Sequence, residues 1–455
     1  MLNTNLAGFS DDVIPIHDSM PLLGSQLMAT VMAEKGHIVT IKDWFLEKID
    51  FQGVDFVGIS TTALDLKDLK EIASVISKST QCKLIAGGPL FWSYAPEKVL
   101  KEIPQIDFVV LGEGEQTFVE LISVLIEDKD VAGVKGIAYN KDGRIVITEK
   151  RNRLCPESIP APDWRLLDFK NRLPLLPIET ARGCTYNCAF CSEVHYWGKP
   201  VRFRNVDHIV DEIKNNYEQL GICTYRISDS CFSAPESRSM QVCDALLEGC
   251  IRQGIPLKWS AFARVNNLNG ELLEKMKLAG CVALDIGMES GDSAILKGMN
   301  KGYSYDDIIE GVRIAKKVGI FTHCNVIIGF PGETPQSIVN TISVLNDAQP
   351  DSYHCMLLDM APNTILSDSP EKFNIQGDRL VWQHDTMSYD QALGYMKDMI
   401  ARVKFSCLFP GGELSAIMLA SIGFDTNRIK RFFRNITRNK IGEQETEMFN
   451  QIWRR

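Results

Sequence analysis

No apolar stretch in this 455-residue chain reaches the roughly 20 residues that a membrane-spanning helix needs; the longest, Leu414 to Phe424, has eleven. A helical membrane span is therefore not expected. There is no excess of positive charge either: 49 Lys and Arg stand against 58 Asp and Glu, a formal net charge of −9. A chain built as a whole to coat nucleic acid would be basic. Internal repeats and low-complexity segments are missing, and no secretory leader is expected. The thirteen cysteines are odd in number and scattered through apolar segments, which does not make a disulfide framework and fits a reducing cytoplasm. What remains, at 45% hydrophobic and 24% charged residues, is an ordinary globular composition with room for two or three domains.

Against that background one run stands out. Arg182-Gly-Cys-Thr-Tyr-Asn-Cys-Ala-Phe-Cys191 places Cys184, Cys188 and Cys191 at C-x3-C-x2-C spacing. A cubic iron-sulfur cluster held by three thiolates keeps one iron free of protein ligands, and that iron can bind a small molecule. Zinc held by the same thiolates and His195 is the competing assignment. The glycine spacing of the loop does not match a dinucleotide fingerprint.

The surroundings read as α/β. Between residues 174 and 365, β-rich apolar runs alternate with amphipathic helical stretches, which calls for parallel strands joined by helices. Six strands are predicted: Leu175 to Thr180, Thr224 to Phe232, Leu257 to Arg264, Val282 to Ser290, Phe321 to Phe330 and Ser352 to Met360. Helices are expected at Ile209 to Leu220, Glu271 to Leu278, Tyr305 to Val318 and Gln336 to Leu345. Residues 1–150 form a second α/β pattern, with strands at His37 to Trp44, Asp55 to Ser60, Lys83 to Gly87 and Asp107 to Leu111. Ser60 and Thr61, Gly87 and Gly88, and Gly112 and Glu113 follow these strands, so small residues gather at one sheet edge, where doubly wound folds bind ligands. A hairpin, Gly136 to Thr148, and a linker over 151–173 join the two regions. Residues 366–455 read as a mainly helical extension. In it Ile429, Phe432, Phe433 and Ile436 make an apolar stripe among Arg428, Lys430, Arg431, Arg434, Arg438 and Lys440, a face for the protein's own core, an acidic partner or a membrane surface.

The cysteine run, with its aromatic residue before the third cysteine, resembles the signature of the radical S-adenosylmethionine (SAM) enzymes. The preceding α/β region resembles the cobalamin-binding domain found in one large class of them. The resemblance implies a Rossmann-like cobalamin domain followed by a partial (β/α)6 barrel, with a 4Fe-4S cluster, SAM and cobalamin as cofactors. It implies that Phe190 packs on adenine, that Asp229 holds the SAM amino group and that Arg264 meets the SAM carboxylate. Glu289 and Ser290 match the ribose-contact motif, and Gly329 lies in the apolar strand and turn that flank adenine. His384, in Trp-Gln-His-Asp-Thr-Met, resembles a C-terminal motif of cobalamin-type relatives. Cys231, Cys281, Cys324 and Cys355 lie near the strands as candidate hydrogen-atom donors.

Two departures matter. The Asp-x-His-x-x-Gly motif that puts histidine below cobalt is missing, since His17 and His37 have the wrong neighbours. Only Met1 to Leu6 precedes the polar run Ala7 to Asp12, where the family has a full apolar first strand, so the domain is left open to a reading without cobalamin. The implied activity is reductive SAM cleavage with cobalamin-dependent methyl transfer to an unactivated carbon of a secondary or specialised metabolite. A cyclase, ring-rearranging enzyme or oxidoreductase is the alternative, and a non-catalytic sensor a more distant one. The expected partners are a small-molecule or peptide substrate and a reductant such as flavodoxin or ferredoxin, in the cytoplasm.

Overall fold

The computed structural model describes residues 2–3, 20–44, 47–62, 65–169, 172, 174–379, 381–409, 412–421 and 423–437. His17, Arg438, Lys440 and the whole of Ala7 to Asp12 lie outside them. The chain divides into two compact units, residues 1–173 and 174–454.

In the first unit the strands are β1 (Leu2–Asn3), β2 (Lys42–Asp43), β3 (Phe56–Ser60), β4 (Lys83–Gly87), β5 (Phe108–Val110), β6 (Ile137–Lys141) and β7 (Arg144–Ile147). They lie in the order β2, β1, β3, β4, β5, β6, β7, parallel through β5 and antiparallel thereafter. Alternation explains how both faces are covered. Val57, Ile59, Leu84, Ala86 and Val109 pack into one apolar cluster, while Ile85, Phe108 and Val110 pack into another. The order reverses between β1 and β3, the switch point at which such sheets open a crevice. Of the strand expected over His37 to Trp44, Lys42–Asp43 forms and pairs in parallel with the described residues of β1.

The second unit begins with β8 (Leu176–Ile178), followed by a two-stranded ribbon of β9 (Ala181–Arg182) and β10 (Arg202–Phe203) that brackets the cysteine loop. Then come β11 (Thr224–Ile227), β12 (Lys258–Ala263), β13 (Cys281–Glu289), β14 (Phe321–Ile328) and β15 (Ser352–Leu357). These five and β8 make the six parallel strands expected from the sequence. A small antiparallel sheet of β16 (Ile375–Asp378), β17 (Val381–His384) and β18 (Met387–Ser388) follows, and β19 (Cys407–Leu408) adds a short parallel strand beside β15. The crossover helices have the signals that sequence reasoning looks for. Helix Tyr305–Val318 starts at a capping box of Ser304 and Asp307 and ends at Gly319.

One helix defines the shape of this sheet. Gly412–Ser421 touches β11, β12, β13, β14 and β15. Laid flat, five strands span about 19 Å, nearly twice the width of a helix, so the sheet curls around it as an open barrel. Gly412 is required there, because a Cβ would collide with Ser352 Oγ. The next helix, Thr426–Thr437, carries the basic stripe. Its Ile429, Phe432 and Phe433 are buried, with the Phe433 ring 4.7 Å from that of Phe321. Burial of each contributes about 1.5–3 kcal/mol, so the apolar stripe serves the protein's own core. Among the described residues no helix is long and apolar enough to cross a membrane.

Candidate cofactor site

The cysteines follow β9, at the C-terminal end of the first barrel strand, where parallel barrels place their chemistry. The loop is pinned from outside. Ala189 N donates to Met299 O at 3.0 Å, Asn300 Nδ2 to Asn187 O at 2.7 Å, and Leu366 N to Ala189 O at 2.9 Å. All three thiols are half-buried, and they lie in mutual electrostatic reach. Burial raises the Cys184 thiol and pushes Cys191 up to about 12. Metal binding therefore has to be accompanied by proton loss.

The donor set fits an iron-sulfur cluster: three soft thiols on one short loop. Among the described residues no three His, Cys, Asp or Glu side chains converge as ligands of a single ion. A cubane attaches each thiolate to a different iron and needs no such convergence. His195, the fourth ligand in the zinc alternative, is exposed on helix Glu193–Trp197.

Arg264 directly follows β12 and reaches this loop. Its Nη1 lies 3.2 Å from Cys188 Sγ, its Nη2 donates to Lys301 O, and its guanidinium stacks 3.7 Å from the Tyr186 ring. Glu289 ends β13 with φ of 62°, at a register shift between Gly287 and Glu289. Its carboxylate pairs with Lys301 Nζ at 3.0 Å, and both side chains are buried. Burial alone would depress the Lys301 ammonium, but Glu289, Tyr303 and Cys188 hold it above its ordinary value. Lys301 also lies 5.8 Å from the Phe190 ring. Cys188, Phe190, Arg264, Glu289 and Lys301 are therefore one contact network with two cations and one anion.

Sequence reasoning missed Lys301. It sits twelve residues beyond Glu289, across the helix Ser293–Gly298, and only its place in a short Asn-Lys-Gly turn hints at a special role.

Two of the expected site residues belong to the scaffold. Asp229 accepts from Thr180 N at 2.7 Å, Ala181 N at 3.0 Å and the Thr180 hydroxyl, which ties β11 to the entry of the cysteine loop. Burial outweighs those bonds and pushes its carboxyl up to about 6. Ser290 is fully buried, and its hydroxyl accepts from Asp292 N and lies 3.3 Å from Thr341 Oγ1. It anchors the end of β13 to helix Pro335–Ala348.

Gly329 has φ of 98°, and a Cβ there would strike the Trp382 ring. Its carbonyl oxygen lies 3.1 Å from His384 Nε2, and the imidazole stacks on Trp382 with centroids 5.4 Å apart. The C-terminal Trp-Gln-His motif thus buttresses the turn after β14. Glu333 Oε2 accepts from Gly329 N at 2.6 Å, and burial pushes this carboxyl up to about 8. The folded chain keeps a proton that the unfolded chain releases near 4.5. Its contribution to stability is complete below that pH and is lost toward pH 8, by up to about 1.4 kcal/mol per pH unit. Glu333→Gln should therefore lose less melting temperature than the parent between pH 6 and pH 8.5. Parallel melting curves would discard this assignment.

The cysteines considered as hydrogen-atom donors have different surroundings. Cys281 lies in electrostatic reach of Cys243, Cys324 in reach of Asp285, Asp351, Glu289 and Lys316, and Cys355 Sγ is 3.7 Å from Met399 Sδ on an outer helix. Cys231 lies instead in reach of Cys184, with Ser233 Oγ 3.6 Å away.

In the first unit, Thr61 N and Oγ1 both donate to Gly87 O, at 2.9 and 3.0 Å, and Leu90 N donates to Thr61 Oγ1. Thr61 thereby fastens the ends of β3 and β4 together. Ser60 Oγ lies 3.3 Å from Thr62 Oγ1. Gly88, with φ of 113°, packs its backbone on Thr61. A Cβ on Gly112 would meet open space. Glu113 differs, since its Oε2 accepts from Leu154 N at 3.1 Å, in the linker. Short side chains thus keep the ends of β3, β4 and β5 low, a shape that fits a broad flat cofactor.

Comparison with known proteins agrees with this arrangement. The radical SAM superfamily model matches residues 178–345, and the B12 binding domain model matches residues 13–122. An uncharacterized methyltransferase of Pyrococcus horikoshii is 30% identical over 336 residues, covering 71% of this chain and 72% of that protein. The anaerobic magnesium-protoporphyrin IX monomethyl ester cyclase of Cereibacter sphaeroides is 29% identical over 319 residues, 67% of this chain but 51% of the cyclase. The fold is similar to that of the radical SAM methyltransferase TsrM from Kitasatospora setae, solved with cobalamin and a 4Fe-4S cluster bound. That likeness has a TM-score of 0.75 at 18% identity and covers 96% of this chain and 98% of TsrM.

Proposed function

This chain belongs to the radical SAM enzymes that carry an N-terminal B12-binding domain, and from that membership we propose that it is a cobalamin-dependent methyltransferase acting on an unactivated carbon of a small molecule. The observation that carries the reading is the contact network joining Cys188, Arg264, Lys301 and Glu289 at the C-terminal end of the barrel. When bound, the cluster held by Cys184, Cys188 and Cys191 supplies the electron that cleaves SAM, and cobalamin carries the methyl group.

The protein's own part is to hold, orient and exclude water. Arg264 offers a planar fork suited to the SAM carboxylate, with Lys301 as a second cation beside it. Glu289 is the acceptor for ammonium or ribose hydroxyl protons. Phe190 and the turn at Gly329 form apolar surface for adenine. The edge at Ser60, Thr61, Gly87, Gly88 and Gly112 is the proposed cobalamin cradle. Flavodoxin or ferredoxin in the cytoplasm would supply the electron, and the substrate belongs to secondary or specialised metabolism.

The test needs no knowledge of that substrate. Reduced, reconstituted protein given methyl-labelled SAM should release S-adenosylhomocysteine and carry the label with its cobalamin. Cleavage to 5′-deoxyadenosine with no label on cobalamin would favour the ring-forming outcome, the second reading, which the similarity to the cyclase supports.

Two further results are expected. Arg264→Ala removes a charge-assisted contact of about 1.5–3 kcal/mol and so weakens SAM binding roughly tenfold or more, as measured by calorimetry. SAM affinity equal to the parent's would overturn the assignment. The second concerns cobalamin, which should bind with no protein nitrogen on cobalt, because the domain lacks the histidine motif and His37 precedes β2 rather than following a strand. Electron paramagnetic resonance of the reduced, cobalamin-loaded protein reads this directly: nitrogen hyperfine splitting from the protein would contradict it.

A further inference from the structure

Below the cysteine loop, the inner face of the barrel carries a buried charged floor. Arg226 Nη2 donates to Asp285 Oδ2 at 3.2 Å, and Asn325 Nδ2 donates to the other oxygen of Asp285. From helix Gly412–Ser421, Glu413 Oε1 lies 3.6 Å from Arg226 Nη1 and its Oε2 lies 3.8 Å from His323 Nε2. His323 Nδ1 in turn lies 2.8 Å from Ser352 Oγ. Burial lowers the pKa of His323. The floor sets one guanidinium, that of Arg226, against two carboxyl groups, and burial together with Glu413 pushes the Asp285 carboxyl up to about 6.

Its hydrogen bonding is incomplete. Arg226 Nη1, Glu413 Oε2 and Ser260 Oγ are buried and have no hydrogen-bond partner. A helix tether alone would leave no reason for three open polar atoms on the inner face. Above the floor the barrel opens: Phe262, next to the C-terminal end of β12, is 38% exposed, with the Arg226 guanidinium 3.9 Å from its ring. Asp285 lies four residues before Glu289 on β13, about 13 Å at the rise of a strand, a span that a small molecule can bridge.

We infer that this floor receives a protonated nitrogen of the substrate at Glu413, whose Oε2 is open, with the substrate's apolar body against Phe262. The inference rests on the barrel being the substrate chamber of the proposed methyltransferase. A cation suits the open Glu413 oxygen, whereas an anion would add a third acidic group around a single arginine.

Binding, not turnover, tests it. Full-length, reconstituted protein is titrated calorimetrically with benzylammonium, benzyl alcohol and benzoate. Benzylammonium should bind at least about tenfold more tightly than either analogue, and Glu413→Gln should weaken it by about tenfold, the effect of one lost charge contact. Iron content and SAM affinity of the variant should match the parent's, which separates failure here from failure of the cofactor assignment. Should Glu413→Gln not fold, the ranking of the three probes on the parent still decides. Preference for benzoate, equal binding of all three, no binding by any, or unchanged affinity in the folded variant would overturn the inference.

Discussion

Alanine in place of Cys188 is expected to reduce reductive SAM cleavage to background while the protein stays folded. With one of three thiolates gone, a second iron lacks a protein ligand, and Arg264 Nη1 loses the sulfur 3.2 Å away. The side chain is half-buried and small, so little packing is lost with it. Iron and sulfide assays, 5′-deoxyadenosine yield under strong reductant and a melting curve together read the outcome. Parental iron and parental cleavage in Cys188→Ala would remove the cluster assignment.

Lys301→Met should show the largest change in stability. It leaves the Glu289 carboxylate buried beside an apolar chain, and stranding one member of a buried ion pair costs about 3–5 kcal/mol. Adding Glu289→Gln should recover much of the loss, because a neutral amide needs no counter-charge. Denaturant titration, followed through the transition that reports the second unit, compares the parent, the single variant and the double variant. If the single variant unfolds at the parental midpoint, the pair is solvated and its role in the site must be reconsidered. SAM affinity should fall in both variants, since the double change restores stability without restoring the cation.

The six barrel strands were legible because each couples a β-rich apolar run to an amphipathic helix, and that alternation has few other solutions. The cysteine loop was legible from spacing, whereas Arg264 and Glu289 were singled out by their resemblance to family motifs at expected strand ends. Lys301 was not, because its meeting with Glu289 depends on the chain turning back after a helix, and no periodicity records that. Asp229 and Ser290 sit at strand ends like Arg264, yet Asp229 accepts from the backbone of Thr180 and Ala181 and Ser290 meets Asp292 N and the Thr341 hydroxyl, a choice set by packing. Helix Gly412–Ser421 was hidden for a different reason. It is buried along almost its whole length and has no polar face to give it an orientation, so it reads as a tail helix instead of the filling of a barrel. His384 stood out by resemblance, but its use as a prop for Gly329 emerged only from the fold.

That barrel-filling helix sets an order of events at the ribosome. The first unit is complete once residue 173 has emerged, and all six main strands have emerged by Leu357. Residues 412–421 come much later, and until then Arg226, Asp285 and His323 stand open to water on a sheet with nothing to curl around. Phe321 likewise waits for Phe433. Translation therefore passes through a long interval in which the second unit is extended, apolar at one end and prone to associate with other nascent chains. A message truncated between codons 360 and 410 should yield aggregate rather than a smaller enzyme, even though every cofactor-binding residue named above would be present in it.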